Sequence, residues 1–384
     1  MRIGFLHLDW PRVDDGSIRS WRNVEWLTRS HQVTVIPVNP TRDQSPLPAR
    51  AVAGDPLTLE VGGALRSRVA PGLSRSGQPP ALDRMNGEYD WIWIAWPQLA
   101  SQSWRTPRGH GVAVTWDADC LSRSAFTAAR ALAGTHPSRA AARALAGASW
   151  VWFERQRTRG LTAISTPSER DRAWLRRTSG VPIFTVRNYV DTDALADVRA
   201  TRASAAGRRV LFLGSDFEPN LHGLDWFIQR VWPRVRSAVP DAELILVGRG
   251  LDERMLTPPV AGVQLVGEVP EVETSLRESR LVVCPIFYGA GIPNKVLQGA
   301  GAARPTLITR HCAASLGSHD GFVLCDSATD WTESVVRFLQ SPELADQVGA
   351  DAIARVERDF GRATWEVEME KLCAAVVRQR SDSG

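Results

Sequence analysis

Two patterns alternate along this chain: short apolar runs of strand length, and longer stretches with apolar residues three or four apart. Residues 2–6 and 33–38 are apolar runs and predict strands. Between them Ile18, Trp21, Val24, Trp26 and Leu27 fall roughly on one side of a helix, after the loop Asp14-Asp-Gly-Ser17. A strand, loop, helix and strand in that order open a doubly wound parallel sheet. The pattern continues with strands over 89–96, 111–115, 162–165 and 183–186. A long Ala/Arg helical region fills 124–158, and a helix spans 168–177. Residues 40–87 break the pattern with Pro, Gly, Ser and Arg, and predict loops with one short helix. So long an irregular stretch inside a compact domain is often functional.

Residues 194–208 lose strand character and read as an interdomain linker. The alternation then restarts. Strands are predicted over 210–213, 244–247, 263–266, 281–284 and 306–309. Helices are predicted near 221–237, 271–278, 293–302, 330–340 and 344–358, with a last one over 362–379. Two α/β halves in tandem imply a cleft between them, and such clefts are common ligand sites.

Composition narrows the class. The chain has 384 residues, 43% hydrophobic and 23% charged, which is globular and long enough for about two domains. No charged region followed by an apolar core precedes the first strand, so no signal peptide is expected. No run approaches the ~18 apolar residues that span a membrane. The five cysteines show no Cys-x-x-Cys spacing, which fits a reducing compartment and no zinc site. Net charge is +4, almost all of the positive charge is arginine, and it is spread along the chain, so nucleic-acid binding is not indicated. The fifteen tryptophans read first as core packing, and otherwise as sugar-stacking or membrane-surface residues.

The chemistry gathers in one stretch. Leu281-Val-Val-Cys284 is a buried strand, and a helix opens at Pro293, whose fixed φ suits a first helical turn. Ile292, Val296, Leu297 and Ala300 lie along one side of that helix. Between strand and helix sits Gly289-Ala-Gly291. A strand, a Gly-rich turn and a helix N-terminus form an anion site, since amides point outward and the helix dipole favours negative charge. Lys295 adds a cation in the first turn, where only a bound anion would welcome it. An ordinary turn with a solvated lysine would read the same way.

In the first half, Asp117 and Asp119 stand at a predicted strand end, where ligands collect in open α/β sheets. Asp119 also suits the N-cap of the helix that follows. Asp117-Ala-Asp119 and Asp191-Thr-Asp193 both spell a metal-binding Asp-x-Asp, a two-carboxylate spacing that arises easily by chance. The seven histidines show no metal spacing, and no metal site is expected. Trp150-Val-Trp-Phe153 lies among Arg143, Arg155, Arg157 and Arg159. It reads as the apolar side of a core helix, or as a peripheral contact with an anionic membrane.

The ordered motifs of the second half resemble the nucleotide-binding domain of GT-B glycosyltransferases, specifically retaining family 4. They are Leu211-Phe-Leu-Gly-Ser215 with Pro219-Asn220, Gly223 and Trp226-Phe227, then Ala242-Glu-Leu-Ile-Leu-Val-Gly248, Val263-Gln-Leu-Val-Gly-Glu-Val269, and the stretch 285–298. The first half matches more loosely, through Pro11 to Ser20 and Thr185-Val-Arg-Asn-Tyr-Val-Asp-Thr-Asp193. Together these cover most of the chain outside 40–87 and 124–158. There are two departures. Where the family carries Glu-x7-Glu, this chain has Ala290 and Gln298. Gln can accept one hydrogen bond and donate one, where Glu accepts from both ribose hydroxyls.

The resemblance implies two Rossmann-like doubly wound domains facing a cleft, with the C-terminal helix crossing back to the first. It implies an acceptor-binding domain over 1–193, a linker over 194–208, a nucleotide-sugar-binding domain over 209–360 and a crossover helix over 361–384. The implied activity is retaining transfer of a hexose from a nucleotide diphosphate sugar to a hydroxyl of a glycan, a lipid-linked glycan or a small molecule. No cofactor and no metal are implied. The donor-site residues carried over are Gly16, Ser17, Arg19, Gly214, Ser215, Asn220, Gly267, Val269, Gly289, Ala290, Gly291, Ile292, Asn294, Lys295 and Gln298. Asp119 and Lys295 are the candidate catalytic residues. Partners are the donor and acceptor, with a peripheral membrane contact as a further option and no nucleic acid. The expected location is cytoplasmic, including the inner face of the membrane. A homologue impaired by Ala290 and Gln298 and a sugar-nucleotide 2-epimerase of the same fold are the competing readings.

Overall fold

The computed structural model describes residues 1–8, 17–38, 47–54, 85, 88–95, 112–117, 119–251 and 259–381. It forms two compact units, Met1–Arg187 with Val367–Gly384, and Asn188–Glu366. The unit boundary follows Arg187. Residues 194–208, expected as a linker, lie inside the second unit. Leu195 and Val198 there are buried in its core, which a free linker would not allow.

The first unit is built on a sheet with described strands β1 (Arg2–Leu8), β2 (Gln32–Val38), β3 (Val52–Ala53), β4 (Trp91–Ala95), β5 (Ala113–Asp117), β6 (Ala163–Thr166) and β7 (Ile183–Thr185). Their order is β3-β2-β1-β4-β5-β6-β7 and every pairing is parallel. The central strands are buried on both faces, as helix-covered parallel strands must be. That is why β4 can read Trp-Ile-Trp-Ile-Ala with every residue buried. Helix α1 (Ser17–Leu27) joins β1 to β2. The Ala/Arg region divides into α2 (Leu121–Leu132) and α3 (Pro137–Arg157). Pro137 sits in the first turn of α3, and the chain turns just before it. Helix α4 (Glu169–Thr178) is capped by Ser168, whose side chain accepts from the Asp171 amide.

The second unit opens with the short α5 (Ala196–Ala200) and holds β8 (Arg209–Leu213), β9 (Glu243–Val247), β10 (Val263–Gly267), β11 (Leu281–Cys284), β12 (Thr306–Ile308) and β13 (Val323–Leu324). The order β10-β9-β8-β11-β12-β13 is parallel throughout and reverses direction between β8 and β11. In open α/β sheets ligands bind outside the carboxyl ends of the strands at this reversal. Leu211, Leu213, Val282 and Cys284 enter one core layer, and Val210, Phe212, Leu281 and Val283 the other. The helices are α6 (Glu218–Arg230), α7 (Trp232–Ala238), α8 (Glu273–Arg277), α9 (Asn294–Gly301), α10 (Arg310–Leu316), α11 (Ala328–Gln340) and α12 (Pro342–Phe360). The single helix predicted over 221–237 breaks at Val231, because Pro233 has no amide to continue the ladder.

The last helix, α13 (Arg362–Ser381), starts in the second unit, and from Val367 it belongs to the first. There Glu368 accepts the Arg187 amide at 2.7 Å, and Arg380 Nη2 donates to Asp90 Oδ1 at 2.9 Å.

Candidate functional site

In the second unit the site assembles at the carboxyl ends of β8 and β11. Strand β8 ends at Leu213, and Gly214 and Ser215 lead toward α6. Asn220, in the first turn of α6, ties this loop down: its Nδ2 donates to the Ser215 carbonyl at 3.1 Å. Its Oδ1 accepts from Lys295 Nζ at 2.8 Å. Lys295 is therefore not a solvated first-turn lysine. It is 3% exposed, and its ammonium lies 5.0 Å from the centre of the Phe212 ring.

Glycine identities follow from this packing. A Cβ at Gly214 would stand 2.6 Å from Lys295 Nζ and 3.2 Å from Asn220 Cγ. A Cβ at Gly223 would lie 1.8 Å from the Pro285 carbonyl oxygen, so α6 can approach the end of β11 only with glycine there. The Gly214 amide, expected to face an anion, donates instead to the Val247 carbonyl at 2.9 Å. Gly214 thus gives the lysine room rather than a hydrogen bond.

After β11, Gly289 (φ 136°) and Gly291 (φ 73°) hold left-handed conformations, with Ala290 between them. Ile292 is buried in the core, and its carbonyl accepts from Asn188 Nδ2 at 3.0 Å. Pro293 is the N-cap, one position earlier than expected, and Asn294 is the first helical residue. Val296, Leu297 and Ala300 join Ile292 in the core, while Gln298 is only half-buried. Gly267 (φ 78°) ends β10, and its carbonyl accepts the Gly248 amide at 2.8 Å. Beyond it, Val269 lines a groove of about 490 Å³ along the β10 edge, with Ile245, Gln264, Val266, Thr274 and Glu278.

The first unit holds a separate polar cluster. Strand β5 runs two residues further than expected, so Asp117 is a strand residue and only 6% exposed. Its carboxylate accepts from Arg19 Nη2 at 2.6 Å, Asn23 Nδ2 at 2.9 Å and Ser165 Oγ at 2.5 Å. Arg19 Nη1 donates to the Val186 carbonyl at 2.6 Å. Arg19, expected to reach phosphate or acceptor, is thus held inside its own unit. Asn23 and Ser165 were not singled out from the sequence, and only their distance from Asp117 in the chain hid them. Gly16 lies outside the described residues. Ser17 begins α1.

Asp119 lies just before α2 and does not serve as its N-cap, which is Cys120. Loss of hydration raises its pKa to about 6; the Asp171 and Asp117 charges add to the rise, and Arg19 and Arg123 oppose it. The side chain is nonetheless open to solvent, which limits the effect. Behind it, buried Glu154 accepts from the Ser122 amide at 3.1 Å and from Ser122 Oγ at 2.7 Å, and Trp174 Nε1 donates to that same hydroxyl at 2.8 Å. Burial raises the Glu154 pKa. Ser122 is fully committed to this network. Glu154 was legible as the lone acid of the Ala/Arg region. Among the described residues no group of three or more His, Cys, Asp or Glu side chains could hold a metal ion.

Residues 207–341 match the family model of glycosyl transferases group 1. The matched residues all lie in the second unit. They include β8, the Gly214–Asn220 loop, the glycine turn and α9. Over nearly the whole chain the comparisons are structural. HepE of Anabaena, solved in complex with UDP-glucose, superposes with a TM-score of 0.63 at 12% identity over 98% of this chain and 100% of its own. TarM superposes at 0.66 and 9% identity over 98% of each chain. WaaG, a glycosyltransferase involved in lipopolysaccharide biosynthesis, superposes at 0.63 and 11% identity over 96% of this chain and 98% of its own. The fold is GT-B. Phosphatidyl-myo-inositol mannosyltransferase of Mycolicibacterium smegmatis is 27% identical over 210 residues, 52% of this chain. That match spans 53%, about half, of the relative's length.

Proposed function

We propose that the chain is a glycosyltransferase that moves a hexose, with retention, from a nucleotide diphosphate sugar to a hydroxyl acceptor. The observation that carries this reading is Lys295, buried and held by Asn220 where the sheet order reverses, within the residues that match the group 1 model. Breaking the anomeric C–O bond leaves charge on the diphosphate. A fixed cation and oriented backbone amides lower the barrier most when they need not reorganise. Lys295 is the fixed cation; the Gly289–Gly291 turn and the first turn of α9 supply amides. The groove beside Val269 would take the nucleobase, and Gln298 the ribose. In the first unit Asp119 is the acceptor-side carboxylate.

HepE was solved with UDP-glucose and a TarM variant with UDP, and both are consistent with such a donor here. The acceptor is a carbohydrate, a lipid-linked glycan or a small molecule. A panel of UDP-, GDP- and dTDP-sugars, assayed for binding and for release of nucleoside diphosphate, tests the reading. Neither binding nor turnover with any of them would reject it. Ala290 and Gln298 favour a second reading, a donor-binding homologue without turnover. Tight binding with no release under any acceptor would select it.

A further inference from the structure

Helices α2 and α3 pack closely, with Gly147 against Phe126, where an added Cβ would stand 2.9 Å from the ring. This contact decides which residues of α3 face inward. Trp150 and Phe153 turn to the core, and Phe153 meets Trp116 edge-on at 5.8 Å. The tryptophan pair of the sequence is thereby split. Trp152 points away and is 46% exposed, and Leu145, 58% exposed, lies two turns earlier on the same side. Ala141 and Ala148 are exposed between and before them, exposed Arg155 continues that side beyond Trp152, and exposed Arg159 lies in the short 3-10 turn that follows α3.

The charge around this face has one sign. Residues 121–160 contain seven arginines and a single acid, Glu154. Glu154 is 2% exposed and hydrogen-bonded to Ser122, so it offers nothing to the surface. One arginine, Arg123, is consumed by buried Asp171 at 2.5 Å. Arg130, Arg139, Arg155 and Arg159 are exposed. The rest of the chain carries nearly balanced charge, so this hairpin accounts for the overall positive sign.

We infer that this face of α3 docks on an anionic lipid bilayer, with Leu145 and Trp152 entering the interface and Arg155 and Arg159 on lipid phosphates. An acidic polymer would use the arginines and could stack on Trp152, but it has no place for the exposed Leu145. A bilayer interface takes both. Among the described residues no helix is long and apolar enough to cross a membrane, so the contact lies on the surface. The inference does not depend on the donor-site reading, and turnover with a water-soluble acceptor is independent of it.

Flotation of the full chain with vesicles of phosphatidylcholine, alone or mixed with phosphatidylglycerol, tests it. Binding to the mixed vesicles is expected, weakening as salt is added. Arg155→Gln and Arg159→Gln should each cost roughly fivefold in affinity. Leu145→Ser with Trp152→Ser should reduce binding further, with an unchanged circular dichroism spectrum. Equal retention on both vesicle types, or variants that float like the parent, overturns the inference. So does binding to a soluble acidic polysaccharide or RNA without binding to the mixed vesicles.

Discussion

The ammonium of Lys295 sits 2.8 Å from Asn220 Oδ1, joining the helices that follow β8 and β11 across 75 residues of sequence. Both residues are buried, so the pair is part of the packing and also the strongest fixed charge of the proposed donor site. Lys295→Met keeps much of the side-chain volume and removes the charge. Donor or UDP affinity, measured by calorimetry, should fall by roughly 10- to 100-fold, the worth of a charge-assisted hydrogen bond. An undiminished affinity would remove Lys295 from the phosphate site. Asn220→Ala should instead cost about 1–3 kcal/mol in unfolding free energy, since it leaves a buried ammonium without this acceptor.

Gly214 and Gly223 should behave differently, although both lie in the same loop and helix. The Cβ of Gly214→Ala meets the end of a flexible lysine, which can shift. That variant should lose donor affinity and cost less stability than Gly223→Ala. The Cβ of Gly223→Ala meets the backbone of Pro285, which cannot shift without moving β11 from the sheet. Overpacking of that kind typically costs about 1–3 kcal/mol or more. Paired melts and UDP titrations separate the two outcomes.

Asp117 is a structural carboxylate on this geometry. Asp117→Ala leaves Arg19, Asn23 and Ser165 facing an empty acceptor position. Removing one partner of a buried ion pair typically costs about 3–5 kcal/mol. Urea denaturation should show a loss of this size, against little change for the exposed pair Arg208–Asp241.

Asp119 sets a pH expectation. Its folded pKa is raised toward about 6, the upper limit for a side chain open to solvent, so the folded state holds the proton more tightly. Its contribution to stability is therefore greatest below the ordinary aspartate pKa. That contribution falls as pH rises through the window between the two values, and is at its least above about 6. Asp119→Asn removes this dependence, and its melting temperature should decline less than the parent's between about pH 4 and about pH 7. If Asp119 also acts in transfer, an ionisation near 6 should vanish from the pH profile of kcat/KM in that variant.

Gln298→Glu tests the departure at the ribose position. A carboxylate accepts from two hydroxyls, where the amide accepts from one. UDP affinity should rise by roughly tenfold. A fall would mean that this half-buried position does not face the ribose.

Much of the fold was legible because its signals are local. Apolar runs separated by helical periodicity specify strands buried on both faces, and hence parallel sheets with helical cover. The glycine turn, Pro293 and the apolar face of α9 were readable for the same reason. Short elements were not: β3, β13 and α10 have two to seven residues, too few to show a period. The division of the Ala/Arg region at residues 133–136 was signalled by Pro137, and helix geometry alone puts Trp150 and Trp152 on different sides, but only the packing of Gly147 on Phe126 shows which side is buried.

By itself the sequence determined where the longer strands and helices lie, and which residue types could carry an anion site. Those depend on backbone sterics and on periodicity within a dozen residues. Tertiary structure alone decided the partners. It placed Asn220 against Lys295, paired Arg19 with Asp117, and turned the Gly214 amide to Val247. Each of these pairings follows from strand order and buried-group satisfaction across long sequence separations, which no local pattern encodes.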